Sequence, residues 1–406
     1  MKTKALLAAT CGLTMLFAGT AGAENSNAVS DGFVKIGILT DLSGPYEDLT
    51  GQGSITAAQM AIDDFGGKVL GKPVKLISAD HQQKPDLSSA TARRWIDQDG
   101  VDMITGLGQS ALGLAVQKVA SGKHVITMNT GAGTTELTGS QCTPYGIHYS
   151  WDTHAVSVGT ATAVVQSGGK KWFFIAADYA FGKSLEKQST NVIERLGGSV
   201  AGSARAPLGT NDFSSYLLQA KASGAQVIGL ANAGSDTVNA IKQANEFGIV
   251  QGGQQLAALV MFVNDVKSLG LKTAQGLQFT TAFYWDRDQK SRDFSKRFFE
   301  KRHTMPNMDQ VGTYSAVTNY LKAVQAAGTD NSDAVRAELG KLEIDDVFGK
   351  GHIRPDGLFE HDMFLVEVKK PSESKGDWDV LKVKKRIPGD QAFMSLKEGG
   401  CPLVGS

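Results

Sequence analysis

The sequence is marked first by what it lacks. Cysteine occurs three times and histidine seven times in 406 residues. Three cysteines cannot build a disulfide-dense scaffold, and the histidines form no HExxH or CxxC-type metal pattern. Neither metal nor cofactor is expected. Lys+Arg and Asp+Glu both number 41, so no basic excess is available to neutralise phosphates. This argues against a nucleic-acid partner. The one basic run, LKVKKR (381–386), alternates like a strand with one solvated face. GQSALG (108–113) misses a Gly-x-Ser-x-Gly nucleophile elbow, because Leu112 stands where glycine is required. ITMNTGAGTTEL (126–137) has Glu136 where a dinucleotide fingerprint needs glycine, and it lacks the lysine of a P-loop. An enzyme is not expected.

Long apolar runs are missing too. Only residues 5–18 (ALLAATCGLTMLFA) form one, and it falls short of the ~20 residues of a membrane span. It follows the basic start Met1-Lys2-Thr3-Lys4 and precedes the small-residue site Ala21-Gly22-Ala23. That order reads as a secretory signal peptide, 1–23, with the mature chain starting at Glu24. Lipidation at Cys11 is not expected, because only Ala5–Thr10 precede it as apolar core. Cleavage leaves Cys142 and Cys401 in an exported, soluble chain. One disulfide is the simplest reading, and two free thiols are the alternative.

What is present is alternation. FVKIGIL (33–39), VKLISAD (74–80), VDMIT (101–105) and HVITMN (124–129) read as strands, with helices at 51–65, 86–98 and 110–121 between them. The pattern restarts near residue 150. Strands are expected at 171–177, 199–205, 225–231, 255–261 and 276–283, with helices at 182–196, 212–223 and 235–247. Helices at 288–302, 309–327 and 331–342 come next, then antiparallel strands around the turn Pro355-Asp356-Gly357. Such alternation builds an α/β fold with two doubly wound parallel sheets. Ligands of such sheets sit at the carboxyl ends of the strands, so the loops after 39, 79, 106 and 129 should share one edge.

The order of IGILTDLSGPY (36–46), AAQMAIDDFGG (57–67), ADHQQKP (79–85), GLGQSALG (106–113), MNTGAGTTELTG (128–139) and DYAFGKSLE (178–186) resembles the periplasmic substrate-binding proteins of ABC importers. The resemblance is to the group related to leucine/isoleucine/valine-binding proteins, and it covers nearly all of the mature chain. It implies two lobes, 32–151 plus 284–355 and 152–283 plus 356–406. Three hinge crossings join them, near 150–152, 282–286 and 352–362. Ligand binding closes the cleft, and a membrane permease takes the loaded protein, a monomer. The same cleft would serve a protein that presents its ligand to a sensor.

The resemblance also implies the site. The loop Asn129, Thr130, Gly131, Ala132, Gly133 would hold the ligand's carboxylate on backbone amides. Gln109 and Ser110, at a helix start, would add dipole and N–H donors. Ser110 has a plain N-cap role as its alternative. Ser43 and Tyr46 come from the first loop. Tyr179, Phe181, Asn232, Asp236 and Phe262 come from the second lobe, and Tyr284 and Trp285 from a crossing. Amino-acid binders of the family place an acid after the strand matching 255–261. Met261 and Phe262 stand there in this chain, and an unpaired buried ammonium costs several kcal/mol. The expected ligand is therefore a carboxylate with an apolar, aromatic body and no α-amino group. This also resembles the family's aromatic-acid binders, whose crossing carries a similar Tyr-Trp-Asp. The alternative is a branched-chain amino acid, its ammonium paired by Asp236 or Asp265.

Overall fold

The computed structural model describes residues 28–404; the segment read as a signal peptide lies outside them. The first lobe opens with β1 (Val34–Thr40), α1 (Gly51–Asp64), β2 (Lys68–Val69), β3 (Lys72–Asp80), α2 (Pro85–Asp97) and β4 (Met103–Gly106). It continues through α3 (Ser110–Ser121), β5 (Ile126–Asn129) and β6 (Gly146–His148). The six strands lie in the order β2-β3-β1-β4-β5-β6. All pairs are parallel except the hairpin β2/β3. β1 is buried at six of its seven positions, without alternation, because helices cover both faces of the sheet. Gly37 in β1 lets Trp95 of α2 lie flat against the strand: a Cβ there would stand 2.7 Å from the indole ring.

The second lobe contains α4 (Thr153–Gln166), β7 (Lys171–Ala177), α5 (Ala180–Arg195), β8 (Ser199–Ala206), α6 (Ser214–Ala222) and β9 (Val227–Ala231). It continues with α7 (Ser235–Glu246), β10 (Gln255–Ala258), α8 (Val263–Leu269) and α9 (Leu271–Ala274). Its parallel sheet has the order β10-β9-β7-β8. The run 276–283 does not extend that sheet. It forms β11 (Gln278–Thr281), which pairs antiparallel with a strand more than 80 residues later. Apolar character alone cannot tell the two pairings apart.

The chain then forms α10 (Gln289–Arg302), α11 (Met308–Ala327) and α12 (Ser332–Leu339). Next come the small sheet β12 (Glu343–Asp345), β13 (Lys350–Ile353), β14 (Phe359–His361), and then β15 (Met363–Val368) and β16 (Leu381–Ile387), which complete the β11 sheet. Two short helices, α13 (Gly389–Ala392) and α14 (Leu396–Gly399), end the described chain.

The helix α11 reaches elements of both lobes. It packs along α1, where Gly53 leaves room for the Gln310 side chain. Its first turn is fixed by a capping box. Asn307 Oδ1 accepts from the amides of Asp309 and Gln310, and Gln310 Oε1 accepts from the Asn307 amide. Asn307 Nδ2 also donates to Leu49 O at 3.0 Å and to Asn264 Oδ1 at 2.9 Å. The start of α11 is thus pinned between the first-lobe loop 41–50 and α8 of the second lobe.

Candidate functional site

A narrow cavity of about 20 Å³ lies between the lobes. The first lobe lines it with Tyr46, Leu49, Thr50, Gly108, Gln109, Ser110, Gly131, Ala132 and Gly133, and the second with Tyr179, Phe181, Ala233 and Phe262. Trp151, just before α4, and Asp309, in the first turn of α11, complete it. Tyr46 and Tyr179 hydroxyls meet across the cleft at 2.6 Å, so the lobes touch. Burial raises both phenols above their usual range and keeps them protonated.

The donors collect at α3. Gln109 is its N-cap, and Oε1 accepts from the Leu112 amide at 2.9 Å. The amides of Ser110 and Gly133 have no partner among the described residues, as expected of a first helical turn and a tight loop. Ser110 Oγ accepts from the Thr134 amide at 3.2 Å, which leaves its proton free to donate. A helix start with open donors favours an anion. The glycine loop itself contributes less than its amides suggest. Asn129 Oδ1 already accepts from the Gly131 and Ala132 amides, at 3.2 and 3.0 Å, and Gly106 O accepts from Gly131 as well. Behind the loop, His148 Nε2–H donates to Ala132 O at 2.6 Å.

The walls are aromatic. Trp151 stands edge-on to Phe181, with centroids 6.1 Å apart, and to Phe262, 6.3 Å apart. Tyr179 lies 5.9 Å from Phe181. Trp151 covers Gly133 so closely that a Cβ there would overlap its ring. Its Nε1–H donates to Asp309 Oδ1 at 2.7 Å. Burial pushes the Asp309 carboxyl well above the usual range; the Trp151 N–H opposes this and the charge of Asp265 adds to it. No Lys, Arg or His is among the described residues lining the cavity.

Other residues singled out from the sequence lie elsewhere. Ser43 donates to Asp80 Oδ2 on the rim. Thr130 bonds Thr313 of α11 at 2.9 Å, beneath the loop. Asn232 accepts from Thr237 at 2.7 Å. Asp236 accepts from the Gly209 amide at 3.2 Å and is near the two tyrosines rather than in the cavity wall. Asp265 caps α8 through the Phe262 amide at 2.9 Å. Tyr284 and Trp285 both reach Trp378 O, and Trp285 lines a separate surface groove with Trp378 and Met305. Asp41, Asp80 and His81 converge, but Asp41 already accepts from the amides of Ser43, Gly44 and Tyr46 and from Gln83 Nε2.

Residues 34–377 match the family model described as periplasmic binding protein. The chain belongs to that family. A periplasmic binding protein from Burkholderia mallei is 54% identical, with a TM-score of 0.91, over 93% of this chain and 100% of the other. A branched chain amino acid ABC transporter periplasmic ligand-binding protein from Burkholderia xenovorans is 41% identical, with a TM-score of 0.82, over 91% and 99%. A Leu/Ile/Val-binding protein homolog of Brucella melitensis is 26% identical over 84% and 88%. Family and fold are those of ABC-transporter solute-binding proteins, not of enzymes.

In this binding protein three polar wall residues escaped the sequence reading, Thr50, Trp151 and Asp309. Trp151 lies within the expected crossing at 150–152, which was signal enough to include it. Asp309 had a weaker signal: the capping-box spacing Asn307 to Gln310 fixes where α11 begins, but not what that turn faces.

Proposed function

We propose that this periplasmic solute-binding protein closes on a small zwitterion with an apolar body, an apolar α-amino acid, and hands it to the permease of an ABC importer. One observation carries the reading: an interlobe cavity with open donors at the α3 start, a buried carboxyl at Asp309 and no cation among the described residues of its wall. A ligand carboxylate is stabilised by the Ser110 hydroxyl, the free amides and the helix dipole. An ammonium beside Asp309 ionises that carboxyl and completes a neutral set of charges. Without such a partner, burying the ammonium costs several kcal/mol. The five rings take the apolar body. Residues 1–23 would be the signal peptide that delivers the chain to the periplasm.

A second reading has its own support. Because Asp309 is pushed toward its neutral form, it can donate a hydrogen bond. The aromatic walls then suit a carboxylate with an aromatic body and no amine. Calorimetry with L-leucine, L-phenylalanine, 4-methylpentanoate and benzoate separates the two. The zwitterion reading predicts that an amino acid binds at least about 100-fold more tightly than its deaminated analogue. Tighter binding of benzoate or 4-methylpentanoate overturns it in favour of the second.

A further inference from the structure

Cys142 and Cys401 are bridged, with Cα atoms 5.7 Å apart, and the path between them crosses the hinge. Cys142 belongs to the first lobe: Gln117 of α3 donates to Leu137 O and Gln141 O and holds its loop. The segment ending at Cys401 starts from β16, in the sheet that packs on α4 of the second lobe. α13 packs on α4 and on β14 together. Phe393 is buried, 5.2 Å from the His361 ring. Arg354, fixed by Asp356 and Glu360, donates to Met394 O at 2.7 Å. Glu398 of α14 is held ionised by Ser395 and, to a lesser degree, by the charges of His154 and Arg195 on α4 and α5. Gly139 then lies against Gly399, where a Cβ would stand 2.7 Å from the carbonyl oxygen.

We propose that the Cys142–Cys401 bridge is a fourth covalent connection between the lobes, a strap that limits how far the cleft opens. The three backbone crossings act as a hinge, and the strap ties a first-lobe loop to a segment that is held at the third crossing by Arg354 and β14 and packs on α4 of the second lobe through α13. Restricting the open states raises the fraction of ligand-free molecules close to the binding geometry, which tightens apparent affinity without touching the ligand. A plain staple, which only adds stability by shortening loops in the unfolded chain, would leave the open form unchanged.

The test compares ligand-free oxidised protein with the C142S/C401S double variant, well below both melting temperatures. Small-angle scattering should show a larger radius of gyration for the variant. Amide exchange at 149–153 and 282–286 should be about tenfold faster. If the double variant does not fold, wild-type protein reduced in the folded state replaces it. Superimposable scattering and unchanged exchange at the crossings, whatever happens to the melting temperature, overturn the proposal and leave the bridge a staple.

Discussion

The indole N–H of Trp151 and the carboxylate oxygen of Asp309 meet at 2.7 Å although 158 residues separate them. One residue precedes α4 and the other lies in the first turn of α11, so the bond joins two segments that shape the cavity. Gly133 is the third member, because only the lack of a side chain there lets Trp151 lie where its N–H reaches Asp309.

Gly133→Ala should therefore weaken ligand binding by displacing Trp151. Overpacking of this kind costs about 1–3 kcal/mol, or roughly 5- to 150-fold in affinity if it falls wholly on the bound form. Binding isotherms of the folded variant check this; unchanged affinity would show that the indole position does not matter.

Tyr179→Phe removes the interlobe hydrogen bond to Tyr46 while keeping the ring. A hydrogen bond of this type is worth about 0.5–1.5 kcal/mol net, so affinity should fall roughly 2- to 12-fold. The loss should appear in the dissociation rate, read by stopped-flow, since the bond exists only when the lobes touch. An effect confined to association would contradict that.

Asp236 gives the pH prediction. Burial pushes its carboxyl up to about 7. The folded protein therefore holds this proton where the unfolded chain, with a pKa near 3.9, has lost it. The group's favourable contribution is complete below about pH 4 and is lost as pH rises toward 7. Asp236→Asn should be more stable than wild type at pH 8 by roughly 2–4 kcal/mol, and the gap should close at pH 4. Denaturant melts at both pH values measure it, and an equal gap at both refutes the assignment.

The disulfide gives a simpler expectation. Thiol titration of the denatured, unreduced protein starting at Glu24 should find no free thiol. Reduction should cost about 2–4 kcal/mol of stability, read as an earlier denaturant midpoint.

Most of the fold was legible because mostly apolar strands such as VKIGILT and VIGLA alternate with helical stretches. The partner of β11 was not, since pairing is settled by a strand more than 80 residues away. At the site, the loop Asn129–Gly133 was legible from its glycines. Less visible was that the Asn129 side chain itself occupies two of the loop amides, which leaves the open donors at the start of α3. Asp309 was hidden for a different reason. An acid in a first helical turn is ordinary dipole complementation, and nothing local shows that this turn faces the cleft. That required the fold, which brings α11 against the loop 41–50 and α8.

The measurement that bears most directly on the account is calorimetry of wild type and Asp309→Asn with L-leucine and with 4-methylpentanoate, the same body without the amine. If Asp309 pairs the ligand's ammonium, wild type prefers leucine, and the variant loses leucine binding by about 100-fold or more while its affinity for 4-methylpentanoate is unchanged or improved. A variant that binds leucine as tightly as wild type does would contradict the account.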